Sequence, residues 1–431
     1  MEAPVSSASL AAFRFILGVM MLVGVARLYA YGWVDQLYIR PAYHFAYWGL
    51  EFVRPLPPPW IHVHLALLAL CCLGVALGVF YRISAVGFCL LFAWLEFSEK
   101  ATYLNHYYLV TLLSLAFLVL PMARGYSVDA WRRGTWHAMV PAWVPWFFRL
   151  QLSWVYFCAG VAKLGPDWLL HAQPLKLWLS NMQDVPLVGP WLAIPTTAYL
   201  MSWAGCVFDL SAGFIMLLPR GRAWFYLAVI GFHTATGLLF NIGMFPWLMI
   251  GMTTIYFDFC WPVTLLGPGA SPDTPPPTGP RMWPAALVLY ALFQMVMPFR
   301  YVLYGGNVLW HEQGFRWGWK VMLVEKAGDV GFRVVDPASG KRWVAEPGEY
   351  YSVLQVKSLS TQPDMILEAA HVVARDFASR GYPDVQVFAD AYVAFNGRLA
   401  RRLIDPDVDL TKEKDTLWNK VWILPFNPDA R

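Results

Sequence analysis

The chain has 431 residues, 58% hydrophobic and only 14% charged, where a soluble globular domain is about 45–50% apolar and about 25% charged. That apolar excess excludes an ordinary water-soluble fold. The formal net charge of +4 is too small to suggest a nucleic-acid partner.

A helix that spans a bilayer needs about 20 mostly apolar residues. Runs of this kind cover residues 10–31, 60–80, 83–97, 105–121, 143–164, 195–218, 224–240, 245–263 and 283–299. The fourth and eighth have soft ends. The expected fold is an α-helical polytopic membrane protein of about eight to nine transmembrane helices. Residues 1–9 carry no basic group, so no cleavable signal peptide is expected. The Pro/Gly-rich stretch 267–280 reads as a loop, because so many prolines cannot continue a helix.

The composition changes near residue 303. Residues 1–302 form the expected membrane catalytic domain, and 303–431 a small soluble α+β domain. In the second part, 319–324, 332–335 and 385–395 read as strands, with turns at Gly328, 336–340 and 396–397. Met365, Leu367, Val372 and Phe377 lie on or near one face of an expected helix over 363–378.

Orientation follows from the arginines. Cytoplasmic loops carry excess Lys and Arg. Arg82, Arg124, Arg132, Arg133, Arg220 and Arg222 all fall in alternate loops on one side. With nine crossings the C-terminal domain lies on the extracytoplasmic side. Six cysteines sit mostly inside apolar runs and form no CxxC, so they read as small hydrophobes rather than as metal or redox ligands.

Ionisable groups inside a membrane are costly, so each needs a reason. His106 opens the fourth run and Lys163 closes the fifth. Glu96, Glu99, Lys100, Asn105 and Asp167 lie near the same level, and His233 lies in the outer half of the seventh run. Together they make a polar cluster near the outer face. Two plainer readings stand beside this one. A terminal lysine can snorkel to the interface, and a lone membrane histidine can be a hydrogen-bonded packing residue. Arg14, Arg149 and Asp209 lie deeper and read as a structural ion group. Haem is disfavoured: the histidines are single, and His62 and His64 point to different sides of a helix.

The stretch VYFCAGVAKLGPDW, residues 155–168, resembles the segment of the vitamin K-dependent γ-glutamyl carboxylases that holds their catalytic lysine. That lysine falls on Lys163; animal members generally have another lysine just before it, where this chain has Ala162. Further similarities follow in the family's order: RPLP at 54–57, YRIS at 81–84, NHYYL at 105–109, DLSAGF at 209–214, FH…LFNIGMF within 232–245, and RRLIDPDVDL at 401–410.

The resemblance implies carboxylation of glutamyl side chains in a peptide or protein, driven by oxygen-dependent epoxidation of reduced vitamin K, a menaquinol or phylloquinol type. Oxygen and carbon dioxide are co-substrates. Neither biotin, ATP nor a metal is expected; no GxxxxGK[ST] sequence is present. The implied roles are Lys163 as the base that deprotonates the quinol, and His106 as its partner in stabilising charge. Asn105 and His233 are implied to line the quinol pocket, between helices and open to membrane lipid. The aromatic stretch 307–320 reads either as an interfacial belt or as a lip where Arg316 and His311 receive the glutamyl carboxylate.

The animal members continue past the IDPDVDL stretch into a large lumenal region that helps bind the propeptide, and residues 43–52 lack the cysteine of the family's disulfide. Protein substrate and docking are therefore expected to differ, and a bacterial plasma membrane is the expected location. Two other functions stay open: a quinol epoxidase with a different small substrate or none, and a transporter or scaffold. An inverted repeat, which many transporters carry, is not evident.

Overall fold

The computed structural model describes residues 3–136, 138–266 and 283–427. The expected loop 267–280 lies outside these residues. Each of the nine apolar runs contains a helix: α1 Ala8–Ala30, α2 Trp60–Leu77, α3 Tyr81–Phe97, α4 Asn105–Val119, α5 Trp143–Ala162, α6 Pro195–Leu217, α7 Arg222–Leu239, α8 Phe245–Met252 and α9 Trp283–Val296. Among the described residues, 4 helical stretches are long and apolar enough to cross a membrane: α1, α2, α6 and Ala285–Tyr304.

The eighth run departs from expectation. Helix α8 stops after 8 residues, about 12 Å at 1.5 Å per residue, against a hydrocarbon core of ~30 Å. The backbone then tightens into the 3-10 turn Thr253–Tyr256. Arg149 makes the break tolerable. Its Nε donates to the carbonyl of Ile255 at 2.9 Å and its Nη2 to that of Phe257 at 2.7 Å. Carbonyls at a helix end have no intrahelical donor, and leaving one buried and unpaired costs ~1–3 kcal/mol. Since the run is not one plain span, the parity of crossings no longer fixes the side of the C-terminal unit.

Helices α5 and α6 pack closely because of Gly160. A Cβ there would lie 2.7 Å from the Leu210 nitrogen, so only glycine permits the approach. The contact brings the C-terminal end of α5 beside Asp209 of α6.

The C-terminal unit contains β1 Lys326–Val335, β2 Arg342–Ala345, α10 Val353–Leu359, α11 Pro363–Ser379, β3 Gln386–Phe395 and β4 Arg401–Arg402. The strands form one antiparallel sheet in the order β2-β1-β3-β4. The long β1–β3 ladder runs from Lys326 opposite Phe395 to Val335 opposite Gln386. Val330, Phe332 and Val334 alternate inward and meet the buried face of α11, the period of two that a one-sided sheet requires.

Two local expectations change. Gly328 lies inside β1 rather than in a turn; its missing Cβ would sit 2.4 Å from the Ser360 carbonyl oxygen, so the glycine lets the strand pass under the α10–α11 connection. Residues 319–324 are not a strand. Their alternation serves docking: the buried Trp319 packs on Tyr108 with ring centroids 4.9 Å apart.

The C-terminal unit is pinned to the helical part by half-buried charge. Lys100 meets Asp364 at 3.0 Å and Glu368 at 3.3 Å, and Arg398 meets Asp167 at 2.5 Å; within the C-terminal part Arg316 meets Asp364 at 2.6 Å.

Candidate active site

Lys163 caps the end of α5 and is buried. Its ammonium meets Asp209 Oδ2 at 2.8 Å, reaches the Ala159 carbonyl at 3.4 Å, and lies 5.3 Å from the Trp168 ring centroid. Trp168 is held in turn by reciprocal bonds with Ser202: its indole N–H donates to the Ser202 carbonyl at 2.7 Å, and the Ser202 hydroxyl donates to the Trp168 carbonyl at 2.5 Å.

Lys163, Asp209, Trp168, Tyr156 and His233 line one cavity, whose other walls include Phe232, Phe240 and Phe245. Its empty space is about 710 Å³ including the open mouth. Tyr156, Ala159 and Lys163 are spaced for one helical face. The Tyr156 hydroxyl and His233 Nε2 are 2.9 Å apart. His233 Nδ1 is buried with no partner among the described residues. The tautomer in which Tyr156 donates to Nε2 places the ring proton on Nδ1.

His106 occupies an adjoining cavity of about 1020 Å³, open mouth included, with Glu96, Arg27 and Tyr38. The two cavities share Ile242. The ring of Phe245 stands between the histidines, 5.9 Å from His106 and 5.9 Å from His233. Glu96 Oε2 accepts from Thr111, and Oε1 has no partner among the described residues.

The other expected residues lie elsewhere. Asn105 does not line the Lys163 cavity; it accepts from the Tyr103 hydroxyl at 3.1 Å and donates to the Lys320 carbonyl at 3.4 Å, tying down the stretch after the last apolar run. The ion group of Arg14, Arg149 and Asp209 is corrected: Asp209 pairs with Lys163, Arg14 donates to the Tyr126 carbonyl at 3.0 Å, and Arg149 caps the α8 break. Arg149 and, through one nitrogen, Arg14 donate to backbone carbonyls rather than to a carboxylate.

Arg316 and His311 form no exposed lip. Arg316 is engaged by Asp364 and Gln362, and Asp364 is shared with Lys100. Burial works against the Arg316 charge, but Asp364 outweighs it and holds the guanidinium above its ordinary value. His311 donates from Nε2 to the Gly305 carbonyl at 2.8 Å and accepts the Gln313 N–H on Nδ1 at 3.0 Å. Both ring nitrogens are spent on backbone.

Among the described residues, no group of three or more His, Cys, Asp or Glu could hold a metal ion. Asp209, Tyr156 and Trp168 were not assigned to the site from sequence. The signal for Tyr156 was present in its spacing from Lys163; nothing local tied Asp209 to that face.

Comparison with known families covers nearly the whole chain. The HTTM domain matches residues 2–261, and the vitamin K-dependent gamma-carboxylase lumenal domain matches residues 280–429. The lumenal description agrees with a C-terminal unit outside the cytoplasm, where the helix count alone does not decide. No solved structure matches the chain.

Proposed function

The chain belongs to the vitamin K-dependent γ-glutamyl carboxylase family, and on that premise we propose that it converts glutamyl side chains to γ-carboxyglutamate while epoxidising reduced vitamin K, with Lys163 as the base. The observation that carries this reading is the buried Lys163–Asp209 pair, 2.8 Å apart in a largely apolar cavity.

The cavity suits reduced vitamin K. Phe232, Phe240 and Phe245 offer apolar faces for a flat ring, and Lys163 and His233 offer polar atoms for its oxygens. When bound, that quinol and oxygen supply a base strong enough for the γ-hydrogen of glutamate, the quinol leaves as its epoxide, and carbon dioxide becomes the new carboxylate. The Lys163–Asp209 pair shares one proton across 2.8 Å; with that proton on Asp209, Lys163 Nζ takes the quinol hydroxyl proton, and the Asp209 carboxyl group stays hydrogen-bonded to the new ammonium at a position shielded from water. Tyr156 fixes the His233 ring, and Nδ1–H of His233 donates to the developing oxyanion; donors placed before the reaction need no reorganisation. His106 supports this arrangement from the adjoining cavity through Phe245.

The test supplies purified protein with reduced vitamin K, oxygen, labelled carbon dioxide and a glutamyl peptide. Labelled peptide and epoxide together are expected. Epoxide alone would support the quinol epoxidase reading, and neither product would overturn the proposal.

A further inference from the structure

A different cavity lies on the other side of the α5 end, between the helical part and the C-terminal unit. It holds about 1450 Å³ of empty space including its open mouth. Cys158, Val161 and Ala162 line it, whereas Val155, Ala159 and Lys163 line the first cavity. The stretch after Trp319 divides in the same way: Lys320 and Leu323 face the new cavity, and Val321 and Met322 face the old one. The two spaces therefore share a thin wall of two chain segments.

Lys320 is the unusual group here. It is 6% exposed. Its ammonium sits over the Tyr301 ring, 3.8 Å from the centroid, and has no carboxylate partner among the described residues. The other cation at the cavity, Arg398, is already neutralised by Asp167 at 2.5 Å. His171 lines the wall, and Arg300 stands near Lys320 with its own donors on the Met297 and Arg316 carbonyls. Burial, and after it the Arg300 charge, push the Lys320 ammonium down to about 8, with Cys158 acting weakly the other way. A buried cation without a counter-charge is costly, and a ring face recovers only part of that cost.

We propose that this cavity is a docking subsite for an acidic peptide, in which Lys320 receives the carboxylate of a residue other than the one being carboxylated. Apolar walls such as Phe299 and Phe426 suit the short hydrocarbon stem of that acidic side chain. The wall between the cavities keeps this carboxylate away from Lys163 while leaving the rest of the peptide near the first cavity. The proposal rests on the carboxylase reading for its biological meaning, but carboxylate binding is measurable without turnover.

The experiment uses full-length protein in detergent and two blocked peptides, one with two glutamates and one in which the second is glutamine. Binding is measured calorimetrically without quinol. The two-glutamate peptide is expected to bind about tenfold more tightly, the size of one charge-assisted hydrogen bond. Lys320→Met should abolish that preference, and Lys320→Arg should retain it. A melting temperature within a few degrees of wild type shows that the variants are folded. In turnover, Lys320→Met should raise KM for the two-glutamate peptide and leave kcat and quinol epoxidation unchanged. Equal binding of the two peptides by wild type, or an undiminished preference in folded Lys320→Met, would overturn the subsite. Loss of all turnover in wild type with the binding preference intact would instead overturn the carboxylase reading alone.

Discussion

Lys163 Nζ and Asp209 Oδ2 stand 2.8 Å apart with side chains only 6% and 8% exposed, beside the close α5–α6 contact that Gly160 permits. Removing one partner of such a pair leaves a buried charge. Asp209→Ala should therefore destabilise the protein by about 3–5 kcal/mol. Removing both charges in Lys163→Met/Asp209→Ala should restore part of that loss. Thermal melts in detergent check the cycle; a double variant no more stable than Asp209→Ala would show that the two residues are not coupled.

Tyr156 is expected to act through His233. Tyr156→Phe keeps the ring that packs edge-on against Phe208 but removes the hydroxyl bonded to His233 at 2.9 Å. Epoxide formation should fall about tenfold, the scale of one lost positioning hydrogen bond, with little change in melting temperature. Full activity in the folded variant would separate His233 from this partner.

Asp364 should make the junction between the two units resistant to mild acid. Burial raises its carboxyl pKa, but Arg316 and then Lys100 outweigh burial and hold it well below the usual carboxylate range. A depressed folded value means the stabilisation is complete above the unfolded pKa of ~3.9 and fades as pH falls through the lower folded value. Asp364→Asn should then melt well below wild type at pH 7 and pH 5. The gap should narrow only at pH below about 3.9. A gap that closes already between pH 7 and 5 would contradict the assignment.

Part of this arrangement is legible in the sequence. Each of the nine apolar runs contains a helix, and 4 helical stretches among the described residues are long and apolar enough to cross a membrane. The face of α5 that carries Tyr156, Ala159 and Lys163 follows from helical spacing. The α8 break is not legible, since the carbonyls it frees are satisfied by Arg149, which is 106 and 108 positions away from Ile255 and Phe257. Asp209 looked like a partner of Arg14 and Arg149 because depth was inferred from run ends, and close packing shifts helices along one another. Arg316 and His311 looked exposed because they follow the last apolar run, but the C-terminal unit covers them with Asp364, Gln362 and backbone carbonyls.

The central claim is that Lys163 deprotonates the quinol, and the most direct test is the rate of epoxide formation by Lys163→Ala beside wild type, at matched folded protein. The account predicts loss of epoxide and of labelled peptide together, with partial recovery when a small primary amine is added. Retention of more than about a tenth of the wild-type rate, a barrier change below about 1.4 kcal/mol, would contradict it.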